Sequence, residues 1–412
     1  AACHLIERPT NVADTFDGNY KLNSARELYG PHAAPYAQPM SIRTGFVPVE
    51  SDHVSRSAHC ASCHTLRTNA VAPDGTPTGG RLNEQTPYLE WQNSSFNDEV
   101  ASPAAEAASC QACHMPRDDV DGNPISTVIA DTGSPAPLNA RAPFGRHVFL
   151  GGNTLIPQIL RDQRARLNPL APDAALNEVI AQTRDQLQRR TARLSVGAIT
   201  RIGAELTIPL AVENLTGHKF PTGHPIRRAW LRLEVRNAAG AVVFASGTYD
   251  AQGQLISGGA PLPSELAGGP WEPHHGTITS GNQVQIYESL MADASGALTY
   301  LLLRGETYLK DNRLLPKGWN PAHPNVAQTA PAGTASDPTF VGGNDQVLYR
   351  VAAPLAAGPY SIRAEFLYEP LSVRFANELF QYSTREVTAF KSYYQAADRS
   401  PEVLASASAT AP

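Results

Sequence analysis

The sequence predicts an α+β protein: an irregular helix-and-loop domain over residues 1–165, a linking helix within 166–195, an antiparallel β-sandwich over 196–400 and a flexible tail at 401–412. Three observations carry this. All five cysteines lie in the first 113 residues. That stretch shows little periodicity and many turn residues, as expected of a domain not organised around regular sheets. After residue 200 the apolar residues alternate at the two-residue period of half-buried strands.

Taken in order, residues 1 to about 165 offer turn signals and few periodic runs. Tyr88 and Trp91 stand as aromatic core candidates. From Pro172 to Leu194, Leu176, Val179, Ile180, Thr183 and Leu187 recur at helical spacing beside Arg and Gln, which predicts an amphipathic helix between the two domains. Strand patterns follow at Leu206, Ile208, Leu210 and Val212; at Leu231, Leu233 and Val235; at Val284 and Ile286; and at Tyr360, Ile362, Ala364, Phe366 and Tyr368. Two loops, about 257–281 and about 317–345, exceed ordinary connection lengths and suggest contact with the first domain or a partner. The small and polar residues of 401–412 suggest the tail.

Composition removes several classes. Charged residues are only 17% of 412, and Gly 31 with Pro 34 favour turns, which disfavours coiled-coil or fibrous assembly. Net charge is −5 and the basic residues are scattered, so no footprint for nucleic acid or an anionic membrane is present. No apolar run approaches the eighteen or more residues of a transmembrane segment. The N-terminal Ala fits a mature chain whose signal peptide has been removed.

The cysteines carry the chemistry. Cys60-Ala61-Ser62-Cys63-His64 and Cys110-Gln111-Ala112-Cys113-His114 are two copies of C-x-x-C-H, the attachment signature of haem c. Thiols three residues apart lie on one side of a helical turn, where each forms a thioether with a haem vinyl group. The following His then sits under the iron as proximal ligand. With 5 Cys and 12 His in the chain, random placement gives ~0.002 copies. A four-cysteine zinc site is the competing reading, but its two pairs would lie unusually far apart in sequence. A dithiol redox centre would not need a His after both pairs. Ala1-Ala2-Cys3-His4 is the same signature without its leading Cys. Two readings stand there: a third haem held through Cys3 and His4, or a lone thiol beside an ordinary terminal His. Each six-coordinate iron needs a second ligand, and with only Met40, Met115 and Met291 available, bis-histidine ligation is expected.

The stretch Ser57–Leu66, then Thr86–Gln92, then Cys110–Pro116 resembles the core of periplasmic or extracellular multihaem c-type cytochromes. Gly145–Asn153 and Thr216–His224, running on to Arg227–Leu231, extend the resemblance, with Asp311–Gly318 more distant. It covers most of residues 50–390. The resemblance implies electron transfer through closely spaced low-spin haems, with His147 and His218 as distal ligands and His53 next. The haem count departs from it, since many relatives carry four or more motifs.

These readings make the chain a periplasmic or extracellular carrier that passes single electrons between redox partner proteins, with His64 and His114 proximal and Cys60, Cys63, Cys110 and Cys113 as anchors. Closing both axial faces argues against catalysis. Two alternatives remain: a haem enzyme with one open axial site acting on a small oxidant or nitrogen compound, and a cytochrome that self-associates into an extracellular conducting filament.

Overall fold

In the computed structural model, which describes residues 2–119, 121–129 and 138–412, the alternating pattern of the C-terminal half becomes two five-stranded sheets. The first runs Thr277–Ile278, Asn344–Ala352, Glu205–Asn214, Ala192–Val196, with Thr200–Ile202 also on Glu205–Asn214. The second runs Ile286–Tyr287, Arg228–Arg236, Tyr360–Glu369, Glu402–Ala411, with Val242–Ser246 also on Arg228–Arg236. Leu206, Ile208, Leu210 and Val212 from the first meet Leu231, Leu233, Val235 and Phe366 from the second in one core, every one of them fully buried. Stacking the inner faces is what alternation demands, because each sheet has one apolar side to remove from water. The sandwich is antiparallel with one exception: Thr277–Ile278 pairs parallel to Asn344–Ala352, since the chain re-enters the sheet from the long loop before it.

Two expectations change. The segment 401–412, expected as a tail, is the ten-residue strand Glu402–Ala411, paired along Tyr360–Glu369. Its small residues fit an edge strand that buries only Leu404 and Ala411 deeply, so low bulk here does not mean low order. The loop 317–345 does reach the N-terminal half: Lys317 pairs with Glu106 at 2.7 Å, and Asn93 and Asn320 exchange side-chain-to-backbone hydrogen bonds of 2.9 and 3.1 Å. The loop 257–281 instead closes on its own half, where Arg374 donates to the carbonyls of Ser264, Gly269 and Pro270.

The helix expected between the halves spans Asp173–Arg190 and buries Leu176, Ile180, Thr183 and Leu187. It lies on Leu155–Asp162 and on the last strand, where Arg184 pairs with Glu402 at 2.9 Å. Before it, regular structure is short: a parallel pair, Glu27–Gly30 with Val47–Glu50; a hairpin, Leu66–Val71 with Pro77–Gln85; and helices of five or six residues at Ser57–Ala61, Pro87–Gln92 and Cys110–His114. Their apolar cluster is small, Ala61, Tyr88, Leu89 and Trp91, with Tyr88 stacked on Trp91 at 5.8 Å. No helix among the described residues is long and apolar enough to cross a membrane.

Candidate haem-binding site

Both C-x-x-C-H segments form single helical turns. Around the first, the backbone N–H groups of Cys63 and His64 both donate to the Cys60 carbonyl. Around the second, the Ser109 hydroxyl caps the turn by accepting from the Ala112 N–H at 3.2 Å. The two turns are locked side by side. The Cys110 N–H donates to the Ser57 hydroxyl at 3.0 Å, and the Gln111 amide donates to the carbonyls of Val54 and Arg56. The Cys60 and Cys110 thiols lie within hydrogen-bonding reach. The Cys110 thiol and then burial push Cys60 well above the ordinary thiol range, while the same contact lowers Cys110. Cys63 is exposed, and Cys60, Cys110 and Cys113 are half-buried.

A third turn joins them. Cys3–Leu5 is a 3-10 turn with Cys3 exposed; Ala1 of that partial motif lies outside the described residues. On the helix that carries Cys60, the His59 ring packs edge-on to His53 at 5.5 Å.

The histidines sort by what their ring nitrogens do. The His4 Nδ1–H donates to the Tyr29 carbonyl at 2.5 Å, His114 Nδ1–H to the Leu150 carbonyl and His218 Nδ1–H to the Lys219 carbonyl at 2.8 Å. A donor role at Nδ1 fixes the tautomer with the Nε2 lone pair free, the state an iron ligand needs. Three imidazole pairs stand close: His114 and His218, with centroids 6.1 Å apart and planes within 16°, His4 and His147, 5.9 Å apart at 40°, and His53 and His59, 5.5 Å apart at 72°. An iron taking one nitrogen from each side at about 2 Å, with each nitrogen about 1.1 Å from its ring centre, sets centroids about 6 Å apart. Burial and the neighbouring His114 hold His218 down to about 4, so its imidazole is neutral at pH 7.

His53 is closed to a metal despite its nearness to His59. Its Nε2–H donates to the Ile6 carbonyl at 2.9 Å and its Nδ1 accepts from the Ser51 hydroxyl at 2.7 Å, which leaves neither lone pair for a metal. Its role is to tie the N-terminal turn to Val47–Glu50. Burial and then the His114 ring hold His64 below the ordinary imidazole range, and no second imidazole stands within a comparable distance among the described residues.

Sequence reasoning missed what positions His218. Glu90, on Pro87–Gln92 and fully buried, accepts from the Lys219 N–H at 3.1 Å and from the Thr222 hydroxyl at 2.6 Å. Its other oxygen faces Arg313 at 3.3 Å. Arg313 and Lys219 both pair with Asp311, at 2.7 and 2.6 Å. This buried network of two cations and two anions joins the N-terminal half to the sandwich directly behind His218. Glu90, Lys219 and the Asp311–Arg313 pair are separated by 92 positions or more along the chain and carry no local pattern that would have linked them.

No family model matches the chain, and no curated protein matches it. Among solved structures it is similar to a penta-heme cytochrome c552 from Thermochromatium tepidum, with a TM-score of 0.52 and 14% identity over 100% of this chain and 76% of that one. At that identity the likeness shows a multihaem-cytochrome-like fold.

Proposed function

We propose that this chain is a c-type cytochrome that passes single electrons between redox partner proteins. Cys60 and Cys63 with His64, and Cys110 and Cys113 with His114, would each hold one haem c; His218 would be the second protein ligand of the iron held by His114. His4 and His147 would hold a third iron, with Cys3 as its thioether anchor among the described residues. Haem bound there supplies one-electron chemistry at iron. The chain's own residues do the rest: carbonyls of Tyr29, Leu150 and Lys219 fix the imidazole tautomers, and contact between the Cys60 and Cys110 turns keeps the two complete attachment sites adjacent. On this reading the protein works in the periplasm or outside the cell. The observation that carries it is the His114 and His218 pair, whose 6.1 Å separation and near-parallel planes are compatible with two ligands of one metal.

His218→Ala in the haem-loaded protein tests it. One low-spin iron should become high-spin and take up cyanide, while the parent protein does not. Unchanged ferric spectra would remove His218 as a ligand.

A further inference from the structure

Resting on that reading, we infer that Glu90 sets the reduction potential of the iron held between His114 and His218, as a positioning residue that acts through the His218 loop. That loop is tied at successive peptides. The His218 Nδ1–H donates to the Lys219 carbonyl at 2.8 Å. The same peptide unit is held from its other side, where the Phe220 N–H donates to the Leu314 carbonyl at 2.9 Å. The Asn214 amide spans the two strands of this contact, donating to the His218 carbonyl at 2.9 Å and to the Leu314 carbonyl at 3.1 Å. Glu90 closes the arrangement: its Oε2 accepts from the Lys219 N–H at 3.1 Å and from the Thr222 hydroxyl at 2.6 Å. A carboxylate therefore grips the chain at the residue after the ligand and again three residues on.

Glu90 also sets the charge behind the ring. Its Oε1 accepts from the Thr86 hydroxyl at 3.2 Å and faces the Arg313 guanidinium at 3.3 Å, so each oxygen has two partners, and the residue is 0% exposed. Lys219 and Arg313 share Asp311, at 2.6 and 2.7 Å. Two cations and two anions thus offset one another where no solvent screens them. Reduction places one electron, delivered by a redox partner protein, on that iron; no bond forms or breaks and no proton moves. The ferric state carries one more positive charge than the ferrous, so an anion beside the axial ligand favours it and lowers the potential. Neutralising Glu90 leaves Lys219 and Arg313 facing Asp311 alone, an excess of one positive charge. At an effective dielectric constant of about 20, a unit charge about 10 Å away shifts a one-electron equilibrium by about tenfold.

The test is a spectroelectrochemical titration of the haem-loaded protein, in which the iron in question is the one that His218→Ala turns high-spin. Glu90→Gln should leave that iron low-spin and raise its midpoint, by about tenfold in the ferrous to ferric ratio or about 59 mV for a one-electron couple. Glu90→Asp, which keeps the charge, should hold the parental midpoint. Thr222→Val removes a hydrogen bond to Glu90 but no charge, so it should lower stability and leave the midpoint in place. Arg313→Gln removes a cation from the same network and should lower the midpoint, which keeps the inference testable if Glu90→Gln does not fold. An unchanged midpoint in the folded Glu90→Gln protein overturns the inference alone, and so does an equal rise in Thr222→Val or an unchanged midpoint in Arg313→Gln. Ferric spectra that His218→Ala leaves unchanged, or a parent protein without covalent haem, overturn the functional reading as well.

Discussion

Removing Glu90 should unfasten the two halves of the protein. Its carboxylate is fully buried and holds three donors from the sandwich side: the Lys219 N–H, the Thr222 hydroxyl and the Arg313 guanidinium. Glu90→Ala would strand the first two, at about 1–3 kcal/mol for each buried unsatisfied donor. It would also leave Lys219 and Arg313 sharing Asp311 as their carboxylate partner. Breaking a buried ion pair from one side costs about 3–5 kcal/mol, but here Asp311 retains part of that interaction. Because these terms share partners they do not add, and a net loss of about 4 kcal/mol is expected. Glu90→Gln keeps an acceptor oxygen and removes the charge, so it should cost about half as much. Urea unfolding followed by circular dichroism measures both. A loss below about 1 kcal/mol for Glu90→Ala would refute the view that this network fixes the His218 segment.

Three further outcomes follow from the geometry. Gly217→Ala would place a Cβ 2.9 Å from the Phe96 Cβ and 3.1 Å from the Trp91 ring, so it should cost about 1–3 kcal/mol and disturb the ferric spectrum through its neighbour His218. Burial pushes the Asp345 carboxyl up to about 7, against an ordinary value of 3.8. The folded protein therefore holds this proton where the unfolded chain releases it, and the stabilisation is complete below about pH 4 and lost as the pH rises through 7. Asp345→Asn should flatten that dependence, by at most about 4 kcal/mol between pH 4 and 8 in urea titrations. Deleting 402–412 should expose the edge of Tyr360–Glu369 and remove the Arg184 to Glu402 pair, giving an aggregation-prone protein by light scattering; a soluble monomer of parental stability would contradict the role assigned to that strand.

The strands that face each other were legible because burial on one side enforces strict alternation, as in the alternating buried positions of Glu205–Asn214. The helix Asp173–Arg190 was legible for the same reason at its own period. Glu402–Ala411 was not, because Ala and Ser alternation carries almost no hydrophobic contrast. In the site, the C-x-x-C-H turns were legible because covalent chemistry fixes their spacing locally. Distal partners are fixed by tertiary contacts: His114 meets His218, 104 positions further on, and His4 meets His147, 143 positions further on. His53 ranked just behind His147 and His218 in sequence, and only the Ile6 carbonyl and the Ser51 hydroxyl, both contacts of the fold, show that its nitrogens are taken. Glu90 had no signal at all, since a buried ion network is assembled from residues far apart in the chain.

The most direct test of the account is the intact mass of the protein, produced in cells that attach haem c and measured under denaturing conditions. The account predicts covalent haem on both the Cys60, Cys63 pair and the Cys110, Cys113 pair, with a third increment mapping to a peptide containing Cys3. A mass equal to the bare polypeptide, with five free thiols, would contradict it.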